Sequence, residues 1–186
     1  PSKGEQPLWD FEENTLALRE VAAYLVSESL GFGLVPFTCL RDGPLGPGSL
    51  QQYIEYDPTC HYFNFSDEDK QRLKPVALFD LLVNNADRKG SHVFFDAARK
   101  LWAIDHGLCF HAEDKLRTVI WDFAGEPIPD DLLSRLSSTL GWRGLLKRYL
   151  SPGEATSLQS RAEALLASRV FPPPPADRRA FPYPPL

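Results

Sequence analysis

Two aspartates sit in settings suited to chemistry on a phosphate. Asp87 lies in Asn84-Asn85-Ala86-Asp87-Arg88-Lys89-Gly90, and Asp105 in Ile104-Asp105-His106-Gly107. Phosphoryl transfer needs one carboxylate to orient, or take a proton from, an attacking hydroxyl. It also needs oxygen ligands for the metal ions that neutralise a polyphosphate. Asp87 is expected on a loop after a helix, and Asp105 at the end of the second strand of a hairpin. A short hairpin brings both to one edge of a domain, with rigid strands fixing their aim. Taken singly, each stretch also reads as an ordinary turn. Their order and spacing together carry more weight than either alone.

The elements that must position them follow from periodicity and punctuation. Residues 15–30 read as an amphipathic helix, with Leu18, Val21, Ala22, Leu25 and Val26 recurring at three-to-four spacing, Asn14 as N-cap and Gly31 as stop. A strand is expected over 34–40, a loop over 42–48 and a second strand over 49–56. Residues 66–84 are helical, Ser66 and Asp69 forming a capping pair and Pro75 either kinking the helix or starting a new one. Strands over 92–95 and 101–104 make the hairpin. Residues 116–121 are ambiguous between strand and helix. Helices are expected over 129–139, 142–150 and 152–168. The segment 171–186 holds seven prolines in sixteen residues, so it is expected to be extended or disordered, with docking on a partner protein as a further option. This is an α+β pattern.

Composition bounds the function. The chain has 186 residues, 43% hydrophobic and 24% charged, an ordinary balance for one domain with a real core. A net charge of −5 argues against general nucleic-acid binding. No apolar run is long enough to span a membrane, and the first residues do not resemble a signal peptide. Three widely spaced cysteines (Cys39, Cys60, Cys109) fit a reducing, cytoplasmic setting and no zinc site of the paired-cysteine type. The lack of any Met leads to the expectation of a fragment or processed form, with part of the machinery upstream.

The stretch from Leu82 to His92 resembles the catalytic loop of phosphatidylinositol 3-/4-kinase-like proteins, and Ala103-Ile104-Asp105-His106-Gly107-Leu108 their metal-binding strand. The type II phosphatidylinositol 4-kinases are closer by pattern. Gly48-Ser49-Leu50-Gln51-Gln52-Tyr53-Ile54-Glu55 is similar to their hinge, and Arg19-Glu20-Val21-Ala22-Ala23-Tyr24-Leu25 to the helix that supplies a carboxylate to the nucleotide site. The whole chain looks closest to a bacterial family of uncharacterised proteins related to these lipid kinases. The resemblance implies a protein-kinase-like fold over 1–170. Residues 1–56 would be a truncated small lobe and hinge, 57–170 a mainly helical large lobe, and 171–186 a proline-rich tail. It implies ATP with Mg²⁺ or Mn²⁺, and transfer to a hydroxyl of a protein, lipid or small molecule. Asp87 would be the catalytic aspartate, with Arg88 bracing its loop. Asp105 would bind metal. Gln52, Tyr53, Ile54 and Glu55 would lie against adenine. Glu20 would position a nucleotide-binding lysine, and Lys89 would serve the nucleotide. Glu20 also reads as a solvated helix residue, and Ile54 as core.

Two departures narrow this. His92 stands where the family has a second metal-binding Asn. Imidazole is a poor ligand for Mg²⁺ and a better one for Mn²⁺, so the site takes another metal, Asn85 fills the role, or the site is weakened. The glycine-rich loop and nucleotide lysine are not evident. Pro1 would match the family's Pro after that lysine, with Lys3 a weaker substitute. A pseudokinase or nucleotide-sensing module without turnover is therefore the alternative, and nucleotidyl transfer on a related fold a third.

Overall fold

A computed structural model describes Leu8, residues 10–138 and residues 141–186; Pro1 and Lys3 lie outside them. Helix α1 (Leu16–Ser29) buries Val21, Ala22, Ala23 and Val26 and stops at Gly31, as its spacing predicts. Thr15, not Asn14, precedes it, because Asn14 has turned to a φ of 63°.

The expected strand over 34–40 is displaced. Pro36 has no N–H to give a ladder. The amides of Leu34 and Val35 donate to Ser27 Oγ at 2.9 and 3.3 Å, so this segment ties down the end of α1 instead. Pairing begins later, in β1 (Thr38–Gly43) against β2 (Gly46–Gln51). The expected loop over 42–48 shrinks to Pro44 and Leu45, with Gly46 at a φ of 90° closing the turn. The second strand ends at Gln51 rather than Tyr56. Residues 52–55 run on without strand pairing, and Tyr56 rejoins by a single bridge to Asp96.

Residues 66–84 break in two. Ser66 caps α2 (Asp67–Gln71), accepting from Asp69 N, and Pro75 opens α3 (Lys74–Val83), where its missing N–H costs nothing. Seven residues of α3 are buried, including Asp80, so this helix runs through the core rather than over it. The hairpin β3 (Val93–Phe95) and β4 (Leu101–Ala103) follows at the expected place, joined to the segment after α1 by Ala103 N donating to Leu34 O at 2.9 Å. Residues 116–121 are neither strand nor helix, apart from a parallel bridge from Thr118 to Arg88.

The second half is helical: α4 (Asp130–Ser138), α5 (Arg143–Leu146) and α6 (Pro152–Ser168). The helix expected over 142–150 is thus only one turn. Helix α6 carries the full capping box, Ser151 accepting from Glu154 N and Glu154 from Ser151 N. Buried side chains from Ala22 to Phe171 form one cluster, so the front and back of the chain share a core.

The proline-rich segment is extended, as composition predicts, but it lies on the domain. Phe171 and Ala180 are buried. Ala180 O accepts from Thr118 N at 3.1 Å and Trp121 Nε1 at 3.2 Å, Leu116 O from Arg178 at 2.6 Å, and Pro185 O from Gly90 N at 2.8 Å. Among the described residues no helix is long and apolar enough to cross a membrane.

Candidate functional site

The loop carrying Asp87 is held on three sides. Asn84 ends α3 at a φ of 56°, a left-handed turn that Asn tolerates. Its side-chain amide donates to His111 O and Glu113 O at 2.9 and 2.7 Å, and its Oδ1 accepts from Lys115 N at 3.0 Å. The Asn85 amide donates to Asp80 at 3.2 Å and its Oδ1 accepts from Asp87 N at 2.9 Å. Both ends of Asn85 are therefore engaged within the loop, which argues for a bracing role over that of a metal ligand. The backbone of 85–88 is laced to Leu108, Arg117 and Val119.

Arg88 is the centre of the brace. It is wholly buried, and its guanidinium meets both Asp80 oxygens, Nε at 3.1 and 3.0 Å and Nη2 at 3.0 Å. Its Nη1 donates to Ile104 O at 2.8 Å and His92 O at 3.3 Å. Nη2 also donates to His106 Nε2 at 2.7 Å. That contact makes His106 an acceptor, and burial first, then Arg88, hold its pKa well below the ordinary value. One side chain thus joins α3, the Asp87 loop, the residues flanking the hairpin on either side (His92 and Ile104) and His106, just after Asp105. Arg88 orients the site from within and does not line it.

Asp80 was not visible as a site residue from motif spacing. A lone carboxylate inside the apolar run Val76-Ala77-Leu78-Phe79-Asp80-Leu81-Leu82-Val83 is the signal that could have found it. Such a group is seldom buried without a partner, and Thr118 Oγ1 also reaches it at 3.3 Å.

On the outer side of this brace stand the two candidate aspartates. Asp105 adopts a φ of 60° and is 58% exposed. His92 Nε2 lies 3.3 Å from its Oδ2. Burial outweighs the Asp105 charge and holds His92 below its usual pKa, so the imidazole is neutral at pH 7. Asp87 is partly buried, with Lys89 Nζ at 3.5 Å from Oδ2. Burial raises the Asp87 pKa, Lys89 opposes the rise and the nearby Asp105 charge adds to it. The structure thus brings Asp87, Lys89, His92 and Asp105 together.

Glu20 joins them from α1. Its Oε1 accepts from His106 N at 2.8 Å, next to Asp105. A Cβ on Gly107 would meet the same oxygen at 3.5 Å, an ordinary contact, so the approach does not depend on glycine. Burial, then repulsion from Asp105, raises the Glu20 pKa to about 7. Glu20 is partly buried and hydrogen-bonded to the turn after Asp105, so the solvated-helix alternative falls. Gln52, Tyr53 and Glu55 are exposed and Ile54 is partly buried. Tyr53 is 81% exposed, so this segment offers its faces to solvent, and Ile54 is not part of the buried core.

Among the described residues no group of three or more His, Cys, Asp or Glu side chains is gathered closely enough to hold a metal ion. The donors shown nearest one another are the Asp105 carboxylate and the His92 imidazole, with the Asp87 carboxylate close enough to feel the Asp105 charge. That set suits a Mg²⁺ or Mn²⁺ ion that arrives on a polyphosphate and keeps several waters, and does not suit a resident all-protein cage.

Fold and site together define an α+β domain with a carboxylate pair mounted on a buried arginine brace. The chain belongs to the family of Protein Rv2133c from Mycobacterium tuberculosis (strain ATCC 25618 / H37Rv), being 37% identical to it across 99% of this chain and 80% of that protein. Phosphatidylinositol 4-kinase gamma 4 of Oryza sativa subsp. japonica is 27% identical over 66% of this chain, but that match spans only 26% of the plant protein. No protein-family model matches the chain.

Proposed function

We propose that this chain carries the catalytic residues of an ATP-dependent phosphotransferase with a phosphatidylinositol-kinase-like fold, its large lobe mainly helical. The observation that supports this best is the convergence of Asp87, Asp105 and Glu20 on the Arg88–Asp80 brace. The partial similarity to a plant phosphatidylinositol 4-kinase points the same way.

In this reading Asp105 would hold a nucleotide-borne Mg²⁺ or Mn²⁺, which supplies charge neutralisation at the phosphates. Asp87 binds a proton more readily than an ordinary carboxylate, which favours accepting one from an attacking hydroxyl. Lys89 can swing from Asp87 to a phosphate oxygen. Glu20 is a carboxyl held towards its protonated form by burial and by Asp105, with no ion pair to a cation among the described residues, and a lysine beside it would restore the charge. The exposed 52–55 segment would face adenine. The acceptor is a hydroxyl compound whose class the site leaves open.

The test is thermal stabilisation by ATP with Mg²⁺ or Mn²⁺. The natural protein should melt several degrees higher with metal-nucleotide, and Asp105→Asn should lose the response. Asp87→Asn should keep the shift and lose phosphoryl transfer. No shift with either metal would sink the reading.

One observation favours a second reading, nucleotide binding without turnover. His92, neutral and against Asp105 Oδ2, occupies an oxygen ligand's place with a nitrogen. Metal-nucleotide stabilisation with no transfer to any acceptor or to water would select it.

A further inference from the structure

Away from Asp87 and Asp105, a cavity of about 660 Å³ opens between α6 and the segment 170–178. Its size is that of a small-molecule site. One wall is apolar, with Leu165, Trp121, Phe171 and the adjacent prolines. The charged groups in the lining are Arg161, Arg178 and Asp114. Two arginines and one aspartate leave the wall with one positive charge.

The hydrogen bonds show where that charge is available. Arg178 is spent on Asp114 at 2.6 Å and Leu116 O at 2.6 Å. Arg161 gives Nε to Leu82 O at 2.8 Å and Nη1 to His111 O at 3.3 Å. Its Nη2 is buried and has no acceptor. A charged donor left unsatisfied in a low-dielectric wall is costly, and an incoming anion recovers that cost. Burial lowers the Arg161 pKa to about 10, so the group is still a cation at neutral pH.

We propose that this cavity is a binding site for a small carboxylate amphiphile, of the medium-chain fatty acid type, whose carboxylate pairs with the Arg161 guanidinium while its chain lies along Leu165, Phe171 and the prolines. One spare donor nitrogen and one net positive charge match a monoanion. A phosphate dianion would bring more charge than the wall balances. The lining is mostly apolar, with Asn84, Ser157, Ser160 and Ser168 as its other polar side chains, and this favours a chain-bearing acid over a sugar or nucleotide. The site is independent of the nucleotide reading, and its test uses no nucleotide.

Decanoate, kept below its micelle concentration, is titrated into the protein while calorimetry and the fluorescence of the lining Trp121 are followed. Saturable one-site binding is expected, with decanol about tenfold weaker or more, since only the acid can accept from the charged donor. Arg161→Gln should remove that preference and leave decanol binding as it was. Ala164→Phe, an exposed position of α6 that lines the cavity, should block both ligands. If Arg161→Gln does not fold, the decanoate-to-decanol ratio and Ala164→Phe still decide. Equal affinity for acid and alcohol, unchanged binding in Ala164→Phe, or no saturable binding would each overturn the proposal.

Discussion

Arg88 and Asp80 form a wholly buried ion pair, Nη2 to Oδ1 at 3.0 Å, that fastens the Asp87 loop to a core helix. Removing one partner leaves a charge with no solvent and no counter-ion. Asp80→Ala should therefore cost about 3–5 kcal/mol in urea unfolding. The pair Asp80→Leu with Arg88→Met should cost clearly less than the sum of the single changes, because no charge is then stranded. Simple additivity would mean that the two groups do not act as a unit.

Glu20 sets a pH dependence with a definite sign. Its folded-state pKa is raised from 4.5 to about 7, chiefly by burial. Within that window the folded protein holds more protons than the unfolded chain, so stability falls as pH rises. In the free protein, denaturation midpoints should decline from the acid to the neutral side of the window. Glu20→Gln, which cannot ionise, should flatten the decline. A profile that is unchanged by the substitution would show that Glu20 is not the source. In the nucleotide reading, a cation placed beside Glu20 would also flatten it.

The parts of this site that were legible in the sequence are local. Asn84 and Asp105 sit at left-handed turns that Asn and Asp tolerate, and the hairpin between them lies where its strand-forming residues place it. Glu20 was found through resemblance, and the structure then placed it against His106 N. What could not be read depends on distant partners. Ser27 takes the amides of Leu34 and Val35 and so moves β1 towards the turn. Asp80 makes sense only once Arg88 folds back on it. The proline-rich segment has the composition of a free tail, but Phe171 and Ala180 find burial and Ala180 O finds two donors.

That docking makes a prediction about exchange. Gly90 N and Thr118 N both donate to the 180–186 segment. Removing residues 180–186 should speed hydrogen exchange at these two amides while leaving the interior of α3 protected. Unchanged protection at Gly90 would show that the segment is not what shields it.

Gly90 is also sterically committed. A Cβ there would lie 2.7 and 2.8 Å from the Phe63 ring and 3.6 Å from Leu186 Cδ1. Phe63 is 50% exposed, so its ring can swing away. Gly90→Ala should therefore destabilise modestly, by about 1–2 kcal/mol on thermal or urea unfolding, and Phe63→Ala in the same chain should restore most of the loss. No rescue would mean that the strain falls on the backbone next to Asp87 instead.

His92 offers the sharpest test of what the carboxylate pair does. A neutral imidazole at 3.3 Å from Asp105 Oδ2 can either ligate an ion or only steady the carboxylate. Nitrogen donors favour Mn²⁺ over Mg²⁺, and oxygen donors suit Mg²⁺. If His92 is a ligand, ATP should stabilise the protein more with Mn²⁺ than with Mg²⁺. His92→Asn should then narrow that gap by improving the Mg²⁺ response. If His92 only steadies Asp105, the substitution should weaken both responses alike and leave their ratio fixed. The ratio of the two melting shifts, measured in both proteins, separates these outcomes. We expect the gap to narrow, because the side chain stands five residues after Asp87 on the same braced loop and touches Asp105 directly.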